Sequence, residues 1–220
     1  MEINNAELLN ISELFTSIQG ESTHAGLPCG FVRLAGCNLQ CTWCDTTYAC
    51  KDGKKMALDV IMETVVQWNI PLVEITGGEP LLQPGCIALA TALLETGHTT
   101  LIETNGTLPI DLLPAGVIRI MDIKCPGSGM SDKMHWRNID ALTRRDEVKF
   151  VLASRTDYKW ALDVMERHKL AEKCGAVLLS AVPGCLDVAQ LAAWMLEDRP
   201  LARLQLQLHK MIWPPELRGV

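Results

Sequence analysis

The chain has 220 residues, 48% hydrophobic and 21% charged, which is ordinary for a globular protein and predicts one domain spanning 1–220 around its own core. A formal net charge of −6 with scattered lysines and arginines excludes a surface built to neutralise phosphates, so no nucleic-acid partner is expected. No stretch approaches the roughly 18 apolar residues of a membrane span, and the start, MEINNAELLNISEL, resembles neither a secretory signal nor a transit peptide, so a cytoplasmic location without a membrane partner is expected.

In chain order, residues 30–35 (GFVRLA) predict the first strand, followed by the cysteine-bearing stretch GCNLQCTWCDTTY and a helix over 57–68. The strand 72–76 (LVEIT) releases Thr76-Gly77-Gly78-Glu79-Pro80, and a helix is expected over 86–96. Strand 100–104 ends in Glu103-Thr104-Asn105-Gly106, and strand 117–123 ends in Asp122-Ile123-Lys124. The links 104–117 and 123–147 carry no full helical pattern, so these crossovers are expected as loops. Strand 147–152, a helix over 157–171, strand 176–180 ending at Ser180, a helix over 187–198 and strand 203–208 complete the series. Nearly continuous apolar strands joined by helical crossovers predict an α/β fold with a mostly parallel sheet, closed as a barrel or left open. In such folds ligands gather at the carboxyl ends of the strands, where the TGGEP, ETNG and DIK stretches fall.

Nine cysteines, an odd number, in a reducing compartment point to metal ligation or burial rather than to a disulfide framework. Cys37, Cys41 and Cys44 stand in a C-x3-C-x2-C spacing. Chance would produce that spacing in only about 1.5% of chains with this cysteine content, so coincidence is a poor explanation. Thiolates suit zinc or an iron–sulfur cluster. A structural zinc would need a fourth ligand, such as Cys29 or Cys50, and a four-cysteine electron-transfer cluster is a further alternative. Three close ligands with the remaining cysteines dispersed fit best a [4Fe-4S] cluster with one iron open to a cofactor. Cys29, Cys50, Cys86, Cys125, Cys174 and Cys185 read as small buried hydrophobes.

The C-x3-C-x-aromatic-C pattern, with Trp43 before the last cysteine, resembles the signature of the radical S-adenosylmethionine superfamily. That resemblance implies S-adenosylmethionine bound at the open iron and cleaved to a 5′-deoxyadenosyl radical. It also implies that Gly78 and Glu79 of the GGEP element receive the amino group of the cofactor. Asn105 and Asp122 would meet the ribose and Lys124 the carboxylate, the alternative for Lys124 being a solvent-facing lysine. Ser180 either reaches the same ligand or caps its strand. Trp43 either packs in the core or lies beside the adenine, and Asp45 is expected against the cofactor or a metal shell.

Further stretches narrow the resemblance: Phe15-Thr-Ser-Ile-Gln-Gly-Glu21, Arg33-Leu-Ala-Gly-Cys-Asn-Leu39, Cys41-Thr-Trp-Cys-Asp-Thr46, Ile75-Thr-Gly-Gly-Glu-Pro80, Ile102-Glu-Thr-Asn-Gly106 and Gln207-Leu-His-Lys210. Together they resemble the 7-carboxy-7-deazaguanine synthase family along nearly the whole chain. The implied fold is a modified, incomplete (β/α) radical enzyme barrel with fewer helices than strands. The implied reaction is a radical ring contraction of 6-carboxy-5,6,7,8-tetrahydropterin to 7-carboxy-7-deazaguanine with loss of ammonia, on the way to queuosine and other deazapurines. The implied cofactors are the [4Fe-4S] cluster, S-adenosylmethionine and Mg2+. The implied partners are a one-electron reductant such as flavodoxin or ferredoxin and a second copy of the chain in a homodimer. By position, Ile18, Gln19, Gly20, Glu21, Arg33, Thr76 and His209 would hold the pterin, and Thr46 would give its oxygen to magnesium. No side chain is expected to act as a catalyst beyond the cofactor-derived radical. The chain departs from the family at Ser22 and Thr23, where glycine often follows the QGE, and in the tail from Trp213 to Val220, whose terminal carboxylate is left without an assigned place. The competing readings are an activating enzyme for a glycyl radical, which leaves the TxQGE and HK stretches without a role, and a non-catalytic zinc or iron–sulfur module.

Overall fold

The computed structural model describes residues 8–214 and 217–219. The seven expected strands are present, with two more at the start of the sheet. In chain order the elements are β1 (Leu8–Ile18), β2 (Pro28–Leu34), β3 (Lys54–Ala57), α1 (Leu58–Trp68), β4 (Leu72–Gly77), α2 (Gly85–Glu95), β5 (Thr99–Thr104) and β6 (Ile118–Asp122). Then follow α3 (Asn138–Ala141), β7 (Glu147–Leu152), α4 (Arg155–His168), α5 (Leu170–Lys173), β8 (Ala176–Ala181), α6 (Val188–Asp198), β9 (Arg203–Leu204) and α7 (Leu208–Ile212). They form one sheet in the order β3-β1-β2-β4-β5-β6-β7-β8-β9. From β2 onward every pairing is parallel, while β1 runs antiparallel to both β2 and β3.

Three expectations change. LLNISELFTSI and KKMA lack the dense apolar runs used to find strands, yet they pair along their length as β1 and β3, so partnership rather than propensity makes them strands. The helix over 157–171 breaks at Lys169, whose left-handed backbone (φ 52) ends α4 and starts the short α5. The strand over 203–208 shrinks to Arg203–Leu204, after which the chain leaves the sheet edge. As expected, 105–117 and 123–146 cross over mostly as loops and single turns, with only the four-residue α3 between them. The N-terminal leader reading falls largely on residues 1–7, outside the described residues.

The sheet has two different faces because side chains alternate along each strand. On one face Val32, Leu34, Val73, Ile75, Ile102, Met121, Val148, Phe150 and Leu179 join Leu89, Leu93, Tyr158, Ala161 and Leu191 from the helices in the main core. On the other face a smaller apolar cluster, Cys29, Phe31, Leu72, Leu101, Ile118 and Ile120, lies towards the amino ends of the parallel strands. Continuing up that face by twos gives Arg33, Glu74 and Thr76, Glu103, Asp122, and Lys149. The inner face is therefore apolar below and charged above.

The edge strands β3 and β9 do not pair with each other, so the sheet stays open. The segment after β9 spans the gap: the Leu208 N–H donates to the Gly20 carbonyl at 3.0 Å, and Gln207 Nε2 donates to Glu21 at 2.7 Å. Cα–H is all that fits at Gly20, since a Cβ there would lie 2.2 Å from His209 Nδ1 and 3.0 Å from its backbone nitrogen. Gly20→Ala should displace His209 and the closing segment, with a loss on the order of 10²-fold in any activity of the face they cover and an unfolding midpoint close to wild type. Steady-state kinetics and thermal unfolding of the variant check this.

Candidate active site

The inner face, the loops at the carboxyl ends of the strands and the closing segment line one cleft of about 220 Å³, open at its mouth.

One wall is the loop after β2. Cys37, Cys41, Trp43, Cys44, Asp45, Thr46 and Cys50 all line the cleft. Two strand ends and a turn hold this loop. The Gly36 carbonyl accepts from the Glu79 N–H at 2.8 Å, Asn105 Nδ2 donates to Asn38 Oδ1 at 3.0 Å, and the Thr42 N–H donates to the Ser128 carbonyl at 3.1 Å. A Cβ on Gly78 would lie 2.2 Å from the Gly36 oxygen and 2.7 Å from the Cys37 Cβ, so only glycine lets β4 end against the cysteine loop. Trp43 is half-buried with its ring edge against Gly127; it forms cleft wall rather than core. Cys50 is half-buried beside Cys37 and Cys44, and burial together with those two neighbours pushes its thiol up to about 11. Cys185 is exposed, so the reading of both as buried packing residues is corrected; Cys29, Cys86, Cys125 and Cys174 are buried.

The strand ends supply the next layer. Thr76, Gly77, Gly78, Asn105, Asp122 and Lys124 line the cleft. Lys124 is held at 2.7 Å by Asp122 Oδ2 rather than facing solvent, while Asp122 Oδ1 is buried with no partner among the described residues. Two expected ligands are not on the lining. Glu79 is fully buried behind the wall, where its carboxylate accepts from the Leu81 N–H (3.0 Å), the Thr104 hydroxyl (2.9 Å) and the Asn105 N–H (2.7 Å). It shapes the ends of β4 and β5 instead of facing a ligand. Ser180 is buried in β8 opposite Val151, and Val182 and Pro183 beyond it line the cleft in its stead.

The floor and far wall bring together residues distant in sequence. Ile18, Gln19, Gly20, Glu21, Arg33, Thr76 and His209 all line the cleft. Arg33 is both paired and exposed to the cleft: Glu13 engages its Nε at 2.8 Å, Tyr48 donates to the same carboxylate at 2.8 Å, and the guanidinium lies 5.6 Å from the Phe15 ring centroid. Asp45 pairs at 2.5 Å with Lys210, tying the cysteine loop to α7. The tail returns to this rim, with Arg218 4.1 Å above the Tyr48 ring; the terminal carboxylate of Val220 lies outside the described residues.

Glu74, Glu103, Lys149 and Gln207 also line this part of the cleft; the sequence places Glu103 at a ligand-gathering strand end and Gln207 in a family stretch, and points to no role for Glu74 or Lys149. The available signal was a charge at an inward alternating position of an otherwise apolar strand, as in LVEIT, TLIET and EVKFVL. Lys149 Nζ contacts Glu21 Oε2 at 2.7 Å, Glu103 at closer range and Asp122 Oδ2 at 3.9 Å. Burial opposes ionisation of Glu21, but Lys149 and the Gln207 amide outweigh it and hold the carboxyl at about 2. Burial, reinforced by the neighbouring Glu103, instead pushes Glu74 up to about 8, with the Gln19 Nε2 donation at 2.5 Å only partly opposing it. Burial lowers the His209 value, so its imidazole is neutral at pH 7.

The shift of Glu74 has a sign that can be tested. A folded value raised above the ordinary 4.5 means that stability is full below pH 4.5 and declines as pH rises through about 8. Glu74→Gln, which does not titrate, should remove that decline and be more stable than wild type at pH 9 by on the order of a few kcal/mol. Urea midpoints of both proteins at pH 5 and pH 9 measure it.

Residues 32–122, from the middle of β2 to the end of β6, match the Radical SAM superfamily. Over 215 residues, 96% of this chain and 97% of the relative, the sequence is 49% identical to the 7-carboxy-7-deazaguanine synthase of Chlorobaculum tepidum. The chain belongs to the 7-carboxy-7-deazaguanine synthase family. A second relative of the same name, from Koribacter versatilis, is 44% identical across 96% of this chain and all of its own length. The crystal structure of QueE from Escherichia coli superposes with a TM-score of 0.74 at 20% identity, covering 90% of this chain and 94% of that one, and so shares the fold.

The superfamily implies a [4Fe-4S] cluster and S-adenosylmethionine, and the residues present fit both. Three soft thiol ligands line one wall, with room left in front of them. Glycine backbone at the end of β4 and the Asp122 and Lys124 side chains line the same space, the first without a side chain of its own and Asp122 a carboxylate acceptor suited to a ligand hydroxyl. Among the described residues no helix is long and apolar enough to cross a membrane.

Proposed function

We infer that this chain converts 6-carboxy-5,6,7,8-tetrahydropterin to 7-carboxy-7-deazaguanine and ammonia, a rearrangement that needs no net oxidant. The observation that carries this reading is one cleft with two ends: the three cysteines at the strand ends, and Gln19, Glu21, Arg33, Thr76 and His209 on the inner face below. When bound, the cluster and S-adenosylmethionine supply a carbon-centred radical that takes hydrogen from the substrate. Cys37, Cys41 and Cys44 would hold the cluster. Gly78, Asn105, Asp122 and Lys124 would orient the cofactor, with Trp43 as a flat wall. Everything else the protein does is to bind, orient and exclude water.

At the substrate end, the Glu21 carboxylate and the Gln19 amide match the donors and acceptors of a pterin edge, and Arg33 offers a fork suited to the substrate carboxylate. Neutral His209, above the Gly20 backbone, can donate or accept without adding charge. Thr46, facing the cleft with Oγ1 3.9 Å from Cys44 Sγ, would give one oxygen to Mg2+, water and substrate supplying the rest. Such an ion keeps its waters and needs no protein cage. A flavodoxin or ferredoxin would deliver the electron, in the cytoplasm, to a homodimer.

The test is anaerobic reconstitution with iron and sulfide, followed by S-adenosylmethionine, reductant, Mg2+ and the carboxytetrahydropterin. The deazaguanine product is expected, with the cofactor regenerated. Slow release of 5′-deoxyadenosine with no product would overturn the substrate and retain the radical chemistry. A reconstituted protein that does not cleave S-adenosylmethionine at all would overturn both.

A further inference from the structure

The residues that would read the pterin sit on a loop, and a loop must be held if it is to present two side chains accurately. Residues 19–27 join β1 to β2 and are closed by the Gln19 N–H to Leu27 carbonyl and Gly26 N–H to Gln19 carbonyl bonds, both 2.8 Å. Ser22 takes a left-handed conformation (φ 64), the geometry for which glycine is the easy choice, so this turn keeps its shape although a side chain is present. Within the hairpin the Glu21 N–H donates to Gln19 Oε1 at 3.0 Å, but its carboxylate is left to be fixed from elsewhere.

It is fixed from β7, which is separated from β1 by β2, β4, β5 and β6 in the sheet. Two inward residues of β7, Glu147 and Lys149, both meet this loop. The Glu147 carboxylate accepts from the Thr23 N–H at 3.1 Å and from the Thr23 hydroxyl. Lys149 Nζ reaches Glu21 Oε2 at 2.7 Å and is itself held between Glu103 of β5 and Asp122 of β6. Both residues are buried, and a lysine in a strand interior is retained only where carboxylates meet its charge. The departure from the family pattern at Thr23 thus has a structural partner in Glu147.

We propose that Glu147 and Lys149 form a lock between β7 and the 19–27 loop, and that Lys149 is a positioning residue that sets Glu21 for substrate recognition. The proposal rests on the pterin reading of the cleft for its kinetic consequence, while the lock itself needs no substrate. Lys149 acts through Glu21: it holds one carboxylate oxygen, Gln207 holds the other, and the carboxylate plane is fixed across the open gap of the sheet.

Amide hydrogen exchange without substrate and pterin kinetics of the reconstituted enzyme, read on Lys149→Met, Lys149→Arg, Glu147→Gln and Thr23→Val, test the proposal. In Lys149→Met the amides of 19–27 should exchange faster while those of β4 and β5 are unchanged. Its KM for the pterin should rise about ten- to hundredfold, the loss expected for one charge-assisted hydrogen bond. Cluster absorption and substrate-free affinity for S-adenosylmethionine should stay at wild-type levels, and Lys149→Arg should recover part of the KM. Glu147→Gln and Thr23→Val, the latter on an exposed residue, should loosen the same loop with a smaller rise in KM. Unchanged loop exchange, an unchanged KM, or a loss of cluster absorption equal to the loss of activity would each overturn the lock. If Lys149→Met does not fold, the Glu147 and Thr23 variants decide by the same two readouts. A wild-type enzyme that does not turn over the pterin sinks the substrate reading, and exchange alone then decides the lock.

Discussion

Cys41→Ala is expected to abolish both product formation and reductive cleavage of S-adenosylmethionine, by more than about 10³-fold, because removal of one of only three thiolates leaves the cluster without enough protein ligands. The same variant should fold. Cys41 is half-buried on a loop wall, outside both apolar clusters, and the loop is anchored independently through Gly36, Asn38 and Thr42. Iron content and visible absorption after anaerobic reconstitution, alongside circular dichroism, separate the two effects. A variant that keeps a full iron complement and cleaves S-adenosylmethionine would remove Cys41 from the ligand set. Substituting Cys86 or Cys174, which are buried in the main core away from the cleft, should cost stability and leave iron content unchanged.

Glu79→Ala should have the largest effect on the folded framework itself. The carboxylate is fully buried and accepts three hydrogen bonds, two from backbone N–H groups and one from the Thr104 hydroxyl. Truncation leaves three donors without a partner, each costing about 1–3 kcal/mol when buried, so a loss of at least about 3 kcal/mol is expected. Burial pushes the Glu79 carboxyl above its ordinary value, while the same three donors and, to a smaller extent, the Lys124 charge pull it back. Asn105 moves with it, and Asn105 contacts the cysteine loop through Asn38. S-adenosylmethionine affinity should therefore fall in the residual folded fraction. Denaturant unfolding and cofactor titration of Glu79→Ala against Glu79→Gln check this, the glutamine retaining acceptor capacity and most of the stability. A Glu79→Ala protein with wild-type stability would show that the three donors find other partners.

Glu79 also illustrates where motif reading and structure part. The GGEP element falls at the strand end anticipated from the pattern of apolar runs, but its glycines face the cleft and its glutamate turns inward to hold the neighbouring strand. Ser180 fails as a lining residue for a different reason: it shares the cleft-side face with Val151 and Val182 but lies buried beneath the opening, which the chain reaches two residues later at Val182. The early strands β1 and β3 carry no dense apolar run: β2 pairs with β1 from Ile11 to Ile18 and β3 pairs with it from Leu8 to Ile11, so partnership makes them strands.

By itself the sequence determined the parallel core strands, the loop-like crossovers after β5 and β6, the C-x3-C-x2-C spacing of Cys37, Cys41 and Cys44 and, through the stretches around Gln19, Glu21 and His209, the family. These are local properties, written in runs of a few residues whose spacing or alternation has a direct physical meaning. Tertiary structure alone decided that the sheet stays open, that the segment after β9 bridges the gap to Gly20, and that Lys149 meets Glu21, 128 positions away in the chain. A buried charge declares itself in sequence only as an interruption of an apolar strand. Which opposite charge answers it depends on how four intervening strands are laid side by side, and that is a property of the packed sheet.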